Sequence, residues 1–146
     1  MRLIISNAHI ISPDVNIPVG SVEVEAGKIK AVYEAAATLP EADKIIDAGG
    51  RYVMPGFIDI HAHGADGKDV CDNDVESIRH IAKRKLGEGV TTWLPTTLTQ
   101  PQHVLEEIAG KCAQYMDRQE YSKTPGLHVE GPYINRINAG AQNPQF

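Results

Sequence analysis

Apolar and polar residues alternate in short bursts over the first third of the chain, and then the period changes. Leu3-Ile4-Ile5 and His9-Ile10-Ile11 are apolar clusters closed by Ser12-Pro13-Asp14, a combination that turns a chain. Val22-Glu23-Val24-Glu25 alternates apolar with acidic, Ala26-Gly27-Lys28 turns, and Ile29-Lys30-Ala31-Val32-Tyr33 runs back. Such alternation around a glycine-containing turn predicts a hairpin with one solvated face. Lys44-Ile45-Ile46-Asp47 and Arg51-Tyr52-Val53-Met54, separated by Gly49-Gly50, read as two further short strands. Residues 1–54 therefore predict a small β module.

Beyond Pro55 the texture is different. Phe57-Ile58-Asp59-Ile60 reads as a strand, and behind a cap at Asp72 or Asn73 the apolar positions Val75, Ile78, Ile81, Ala82 and Leu86 recur at helical spacing. Gly87 and Gly89 end that helix. Val90-Thr91-Thr92-Trp93-Leu94 is a second strand. Pro101 opens a second helix whose buried stripe is Val104, Leu105, Ile108, Cys112, Tyr115 and Met116. Gly126-Leu127-His128-Val129-Glu130 is a third strand, and residues 134–146 read as a loop. Strand, helix, strand, helix, strand predicts an α/β architecture of βαβ units with a parallel sheet or barrel. Three parallel strands and two helices leave a sheet edge and apolar faces uncovered. The sequence is accordingly expected to be the front part of a longer protein.

Composition narrows the partners more than the fold. Of 146 residues, 42% are hydrophobic and 23% charged, a globular balance. A net charge of −5 argues against a nucleic-acid backbone or an anionic membrane as partner. Cys71 and Cys112 form no CxxC pair, which favours a reducing compartment. The start lacks the long apolar core of a signal peptide, and no run approaches the roughly 18 apolar residues of a membrane span. The expectation is a soluble cytoplasmic protein.

Candidate chemistry is concentrated at strand tips. In a regular strand alternate side chains share a face, so Phe57, Asp59, His61 and His63 are expected to point the same way, the two imidazoles about 6–7 Å apart along the pleat. Burying two imidazoles together is costly without partners, and a divalent metal between them removes that cost. Glu130, at the end of the third strand, is the candidate oxygen ligand. Asp59 reads as a packing or supporting group and His128 as a hydrogen-bonded core histidine. Thr96 and Thr97 read as ordinary strand residues or caps, with site lining as the alternative because they follow the second strand. His9, His80 and His103 read as surface or module residues, Cys71 as inert, and Trp93 as core. In barrels the active site forms at the carboxyl ends of the strands, which is where these residues fall.

Pro55-Gly56-Phe57-Ile58-Asp59-Ile60-His61-Ala62-His63 resembles the first-strand motif of the amidohydrolase superfamily, metal-dependent (β/α)8 TIM barrels with an accessory β-sandwich. Gly89 to Thr97, Gly126-Leu127-His128-Val129-Glu130-Gly131-Pro132-Tyr133 and Ala139-Gly140-Ala141-Gln142-Asn143-Pro144 resemble, in order and spacing, the N-acetylglucosamine-6-phosphate deacetylase family. The resemblance implies that residues 1–54 are the N-terminal portion of the β-sandwich and that 55–146 carry the first three strands and two helices of the barrel. It implies a divalent metal, zinc or iron, one or two ions, held by His61, His63 and Glu130, with Ala141 and Gln142 touching substrate. It further implies a sugar-phosphate substrate, a homodimer at full length, and a catalytic aspartate beyond Phe146, so that this chain alone is expected to be inactive. The alternatives are a dihydroorotase-like or deaminase-like amidohydrolase, and a non-catalytic fragment.

Overall fold

Ser12 faces Val15 across Pro13-Asp14, so the predicted turn is a tight one, but the strands it joins are far longer than the apolar clusters suggest. The computed structural model describes residues 1–146, which divide into two compact units, Met1–Pro55 and Gly56–Phe146. In the first, β1 (Arg2–Ser12) and β2 (Val15–Glu25) are eleven residues each. The two clusters of β1 become one strand because register shifts between Ile5 and Ile10 absorb the intervening polar residues. Asn7 takes a left-handed conformation there (φ 51°), which asparagine adopts more readily than most residues. β3 (Lys28–Glu34) pairs antiparallel with β2, while β4 (Lys44–Asp47) and β5 (Tyr52–Val53) pair parallel with β1. Ala8, Ile10, Val22 and Ala48 form the buried centre.

The hairpin's solvated face is not where the alternation places it. Glu23 is only 3% exposed, whereas Ile29 is 71% and Val32 45% exposed. Arg2 and Tyr33 account for the burial of Glu23. The Nε of Arg2 lies 3.0 Å from Glu23 Oε1, and the Tyr33 hydroxyl donates to Glu23 Oε2 at 2.5 Å.

The second unit contains β6 (Phe57–Ala62), a small hairpin of β7 (Gly64–Ala65) and β8 (Lys68–Asp69), α1 (Val75–Gly87), β9 (Val90–Thr97), α2 (Gln102–Asp117) and β10 (His128–Val129). β6, β9 and β10 form a parallel sheet with β9 in the middle. The cap of α1 is Asp74, whose carboxylate accepts the Ser77 N–H at 3.0 Å, and not Asp72 or Asn73. The Asp72 carboxylate instead accepts the Asp69 N–H at 3.0 Å, and the Asp69 carboxylate accepts the Asp72 N–H in return, around the 3₁₀ turn Val70–Asp72. Trp93, fully buried, packs with Ile78, Ile81 and Ala82 of α1 and Ile108, Cys112 and Tyr115 of α2. The third strand is shorter than predicted. Lys123 first occupies the edge of β9, exchanging hydrogen bonds with Thr91 and Trp93 at 2.9 Å, and Pro125, which has no N–H to give, interrupts pairing before His128.

β6 also departs from regularity. Asp59 lies opposite Trp93 and Ala62 opposite Pro95, so β6 takes three steps where β9 takes two. This bulge corrects the expected common face. Asp59 reaches Lys85 on α1 and Ala62 joins the Trp93 cluster, while His61 and His63 turn elsewhere. β6 pairs only with β9, and Phe57, Ile58 and Ile60 are exposed. No helix of the chain is long and apolar enough to cross a membrane.

Candidate metal centre

His61 comes from β6, His63 follows it directly, and Glu130 follows β10. Their ligand atoms converge. His61 Nε2 and His63 Nε2 lie 3.1 Å apart, and Glu130 Oε2 is 3.4 Å from the first and 3.2 Å from the second. Four ligands arranged tetrahedrally at zinc distances of about 2.0–2.1 Å are separated by about 3.3–3.4 Å. The observed triangle is close to one face of such a tetrahedron.

Two further observations test the fit. The Nδ1–H of His63 is placed to donate to the Thr96 carbonyl at 3.1 Å, a bond that leaves the lone pair on Nε2, the atom facing Glu130. Glu130 Oε2 is buried and has no hydrogen-bond donor, since neither neighbouring imidazole is aligned to donate to it. A buried carboxylate oxygen without a donor is costly, and a cation is the partner its surroundings suit. The three side chains remain partly open, 46%, 31% and 31% exposed for His61, His63 and Glu130. Three protein ligands with one accessible side is the pattern of catalytic rather than closed structural metal sites.

β9 supports the cluster from below. Thr96 Oγ1 accepts the Ala62 N–H at 3.0 Å, and Thr97 Oγ1 accepts the Glu130 N–H at 3.3 Å. Both threonines are fully buried within β9 rather than following it. Gly131, after Glu130, has φ +87°, and a side chain there would stand 2.3 Å from Thr99 Oγ1. Only glycine permits this approach. Thr99 in turn donates its backbone N–H to Gln142 Oε1 at 2.6 Å. Gln142 is thus a buried strut between residues 131–146 and the end of β9, with its carbonyl already engaged, whereas Ala141 is exposed.

The remaining candidates separate from the centre. His128 stands edge-on to His61, ring centroids 4.9 Å apart, with Nδ1 bonded to the Ile60 carbonyl at 3.1 Å. His9 pairs with Asn16, and His80 lies 3.8 Å from Asp66 at the surface. Burial pushes the Cys71 thiol up, and its Sγ accepts the Leu98 N–H at 3.2 Å. Cys112 is pushed up to about 11 by burial, so neither thiol is a ready nucleophile. For Asp59 burial opposes ionisation, but the Lys85 ammonium and the His61 N–H outweigh it and hold the carboxyl below its usual range. Lys85 is the supporting residue that sequence reasoning missed. Its one signal is position, since it lies one turn after Ile81 and beside Leu86 on a helix whose apolar side is buried.

A mixed α/β fold whose strand tips bring together His-x-His and a glutamate defines a class, and the chain belongs to it: residues 44–124 match the amidohydrolase family. Within that family the chain is similar to N-acetylglucosamine-6-phosphate deacetylase of Bacillus subtilis (strain 168), 30% identical over 99% of this chain and 37% of the relative. It is also 33% identical to N-acetylgalactosamine-6-phosphate deacetylase of Escherichia coli O157:H7, over 76% of this chain and 30% of the relative. Among solved structures, N-acetylglucosamine-6-phosphate deacetylase from Thermotoga maritima superposes with a TM-score of 0.80 at 30% identity, over 97% of this chain and 36% of that one. The chain spans about a third of the length of the relatives it matches.

Proposed function

We propose that this chain carries the metal-binding strands of a sugar-phosphate N-deacetylase. The reaction is removal of the N-acetyl group from N-acetylglucosamine 6-phosphate, giving glucosamine 6-phosphate and acetate. The observation that carries the reading is the convergence of two imidazole nitrogens and one donor-free carboxylate oxygen at 3.1–3.4 Å. Similarity to deacetylases over nearly the whole chain supports it. On this reading Gly56–Phe146 supplies the first three strands of a (β/α)8 barrel and Met1–Pro55 part of a β-sandwich. The exposed apolar edge of β6 accords with a strand that a complete barrel covers.

His61, His63 and Glu130 hold the ion, zinc or iron by their mixed nitrogen and oxygen donors. When bound, such an ion lowers the pKa of a coordinated water toward about 7 and polarises the scissile carbonyl. Thr96 keeps His63 in the ligating tautomer, and Thr97 fixes the backbone at Glu130. On this reading the exposed Ala141 reaches the substrate, and the buried Gln142 holds the segment that carries it through its bond to Thr99. By the family resemblance the proton-transferring aspartate lies beyond Phe146, so the 146-residue chain alone is expected to release no acetate.

A chimera tests the reading. Residues 1–146 replace the aligned part of the Bacillus subtilis relative, and acetate release is measured from the 6-phosphates of N-acetylglucosamine and N-acetylgalactosamine. Metal-dependent release that is lost with Glu130→Gln is expected, faster from the glucosamine derivative. A folded, metal-loaded chimera inactive on both sugars would overturn the reading.

A further inference from the structure

The bulge in β6 takes the peptide between Ile60 and His61 out of register, since neither residue has a partner on β9. Both polar groups of that peptide are nevertheless bonded, and to side chains. Its carbonyl accepts from His128 Nδ1 at 3.1 Å, and its N–H donates to Asp59 Oδ1 at 3.1 Å. A peptide held only by side chains is as well fixed as those side chains are. The second oxygen of Asp59 accepts from Lys85 Nζ at 2.9 Å, and the lysine side chain is only 14% exposed. Lys85 sits on α1, whose Ile78, Ile81 and Ala82 are locked in the Trp93 cluster. A continuous path therefore runs from the packed core through an ammonium and a carboxylate to the backbone of His61.

Ordinary explanations for Lys85 leave this contact over. A basic residue in the last turn complements the helix dipole, but Arg84 already does so and pairs with Glu88 at 2.9 Å. Lys85 lies 4.0 Å from Glu88 and much closer to Asp59. We propose that Lys85 and Asp59 are positioning residues that orient His61 for metal binding by clamping the bulged peptide. The proposal rests on the metal reading of His61, His63 and Glu130, and assigns to the pair a role in ligand geometry.

Cobalt(II) titration of the 146-residue chain reads this directly, by affinity and by the visible bands that report ligand geometry. Lys85→Met is expected to weaken binding about 10–100-fold, the range typical of groups that orient metal ligands, and to shift those bands. Lys85→Arg recovers most of the loss. Arg79→Met, on the same helix as Lys85, removes the 2.6 Å pair with Glu120 and leaves both readouts unchanged. Should Lys85→Met fail to fold, Asp59→Asn carries the test: it keeps an acceptor for the His61 N–H, loses the ammonium, and is also expected to bind more weakly. Wild-type affinity and spectrum in either folded variant would reduce the pair to a structural contact and overturn the proposal, with the metal reading intact. A wild-type chain that binds cobalt no better than His61→Ala would remove both.

Discussion

Glu23 and Glu130 are both carboxylates with an oxygen drawn out of water, one in each unit, and they are matched differently. Glu23 meets a guanidinium at 3.0 Å and a phenol at 2.5 Å. The Arg2 Nε–H is not aligned as a hydrogen bond, so charge carries most of that attraction, and Arg2 extends its fork to Glu25 at 3.2 Å. Glu130 meets two imidazoles, one of them turned by Thr96 to present a lone pair, and no fixed cation. The first arrangement is electrically complete within the protein. The second leaves its charge unmatched within the protein, and on the proposed reading a metal supplies the missing partner. Burial alone therefore does not distinguish a structural carboxylate from a functional one; the charge of its neighbours does.

Mutation should separate the two carboxylates sharply. Glu130→Gln is expected to weaken cobalt or zinc binding at least about 100-fold, roughly 2.7 kcal/mol, while the unfolding free energy of the metal-free chain is not lowered, because the variant removes a buried charge that has no donor. Titration and urea unfolding of the same samples check both halves. Glu23→Ala should do the reverse, costing about 2–3 kcal/mol of unfolding free energy and leaving metal affinity untouched. That figure is below the range for breaking a fully buried pair, because Arg2 keeps about a third of its side chain in water. A metal affinity that falls with Glu23→Ala would erase the contrast.

A smaller effect sharpens it through pH. The hydrogen bond to Glu23 chiefly, then burial and the Glu23 charge, raise the Tyr33 phenol above its ordinary value of 10.0, with Arg2 opposing. A group whose pKa is raised by folding stabilises the fold below its unfolded pKa and loses that contribution as pH climbs through the folded value. Stability should therefore decline above pH 10, and Tyr33→Phe should flatten that decline in unfolding curves taken across the alkaline range. Metal binding near neutral pH is expected to be the same in both proteins.

These contrasts also show what a sequence can convey. The helical spacing of Ile78, Ile81 and Ala82, and of Leu105, Ile108 and Cys112, located both helices, because packing follows local periodicity. Strand tips after apolar runs placed His61, His63 and Glu130 at one end of a parallel sheet. Burial of Glu23 was not legible, since it depends on Arg2 and Tyr33 arriving from two other strands. Nor was the β6 bulge, which appears only once β9 sets a register against it, and with it went the orientation of Asp59 and the partnership with Lys85. Residues 126–127 look like strand, but Lys123 reaches the edge of β9 first and Pro125 breaks the pairing.

The extra residue in β6 makes alignment itself a chemical variable. A β6 displaced by one residue against β9 would exchange the two sides of the strand, carrying the imidazoles under the helices and Ile60 and Ala62 to the tip. Such a chain could retain most of its secondary structure and still bind no ion. For this strand, a folding mistake would register as lost affinity long before it registered as lost structure.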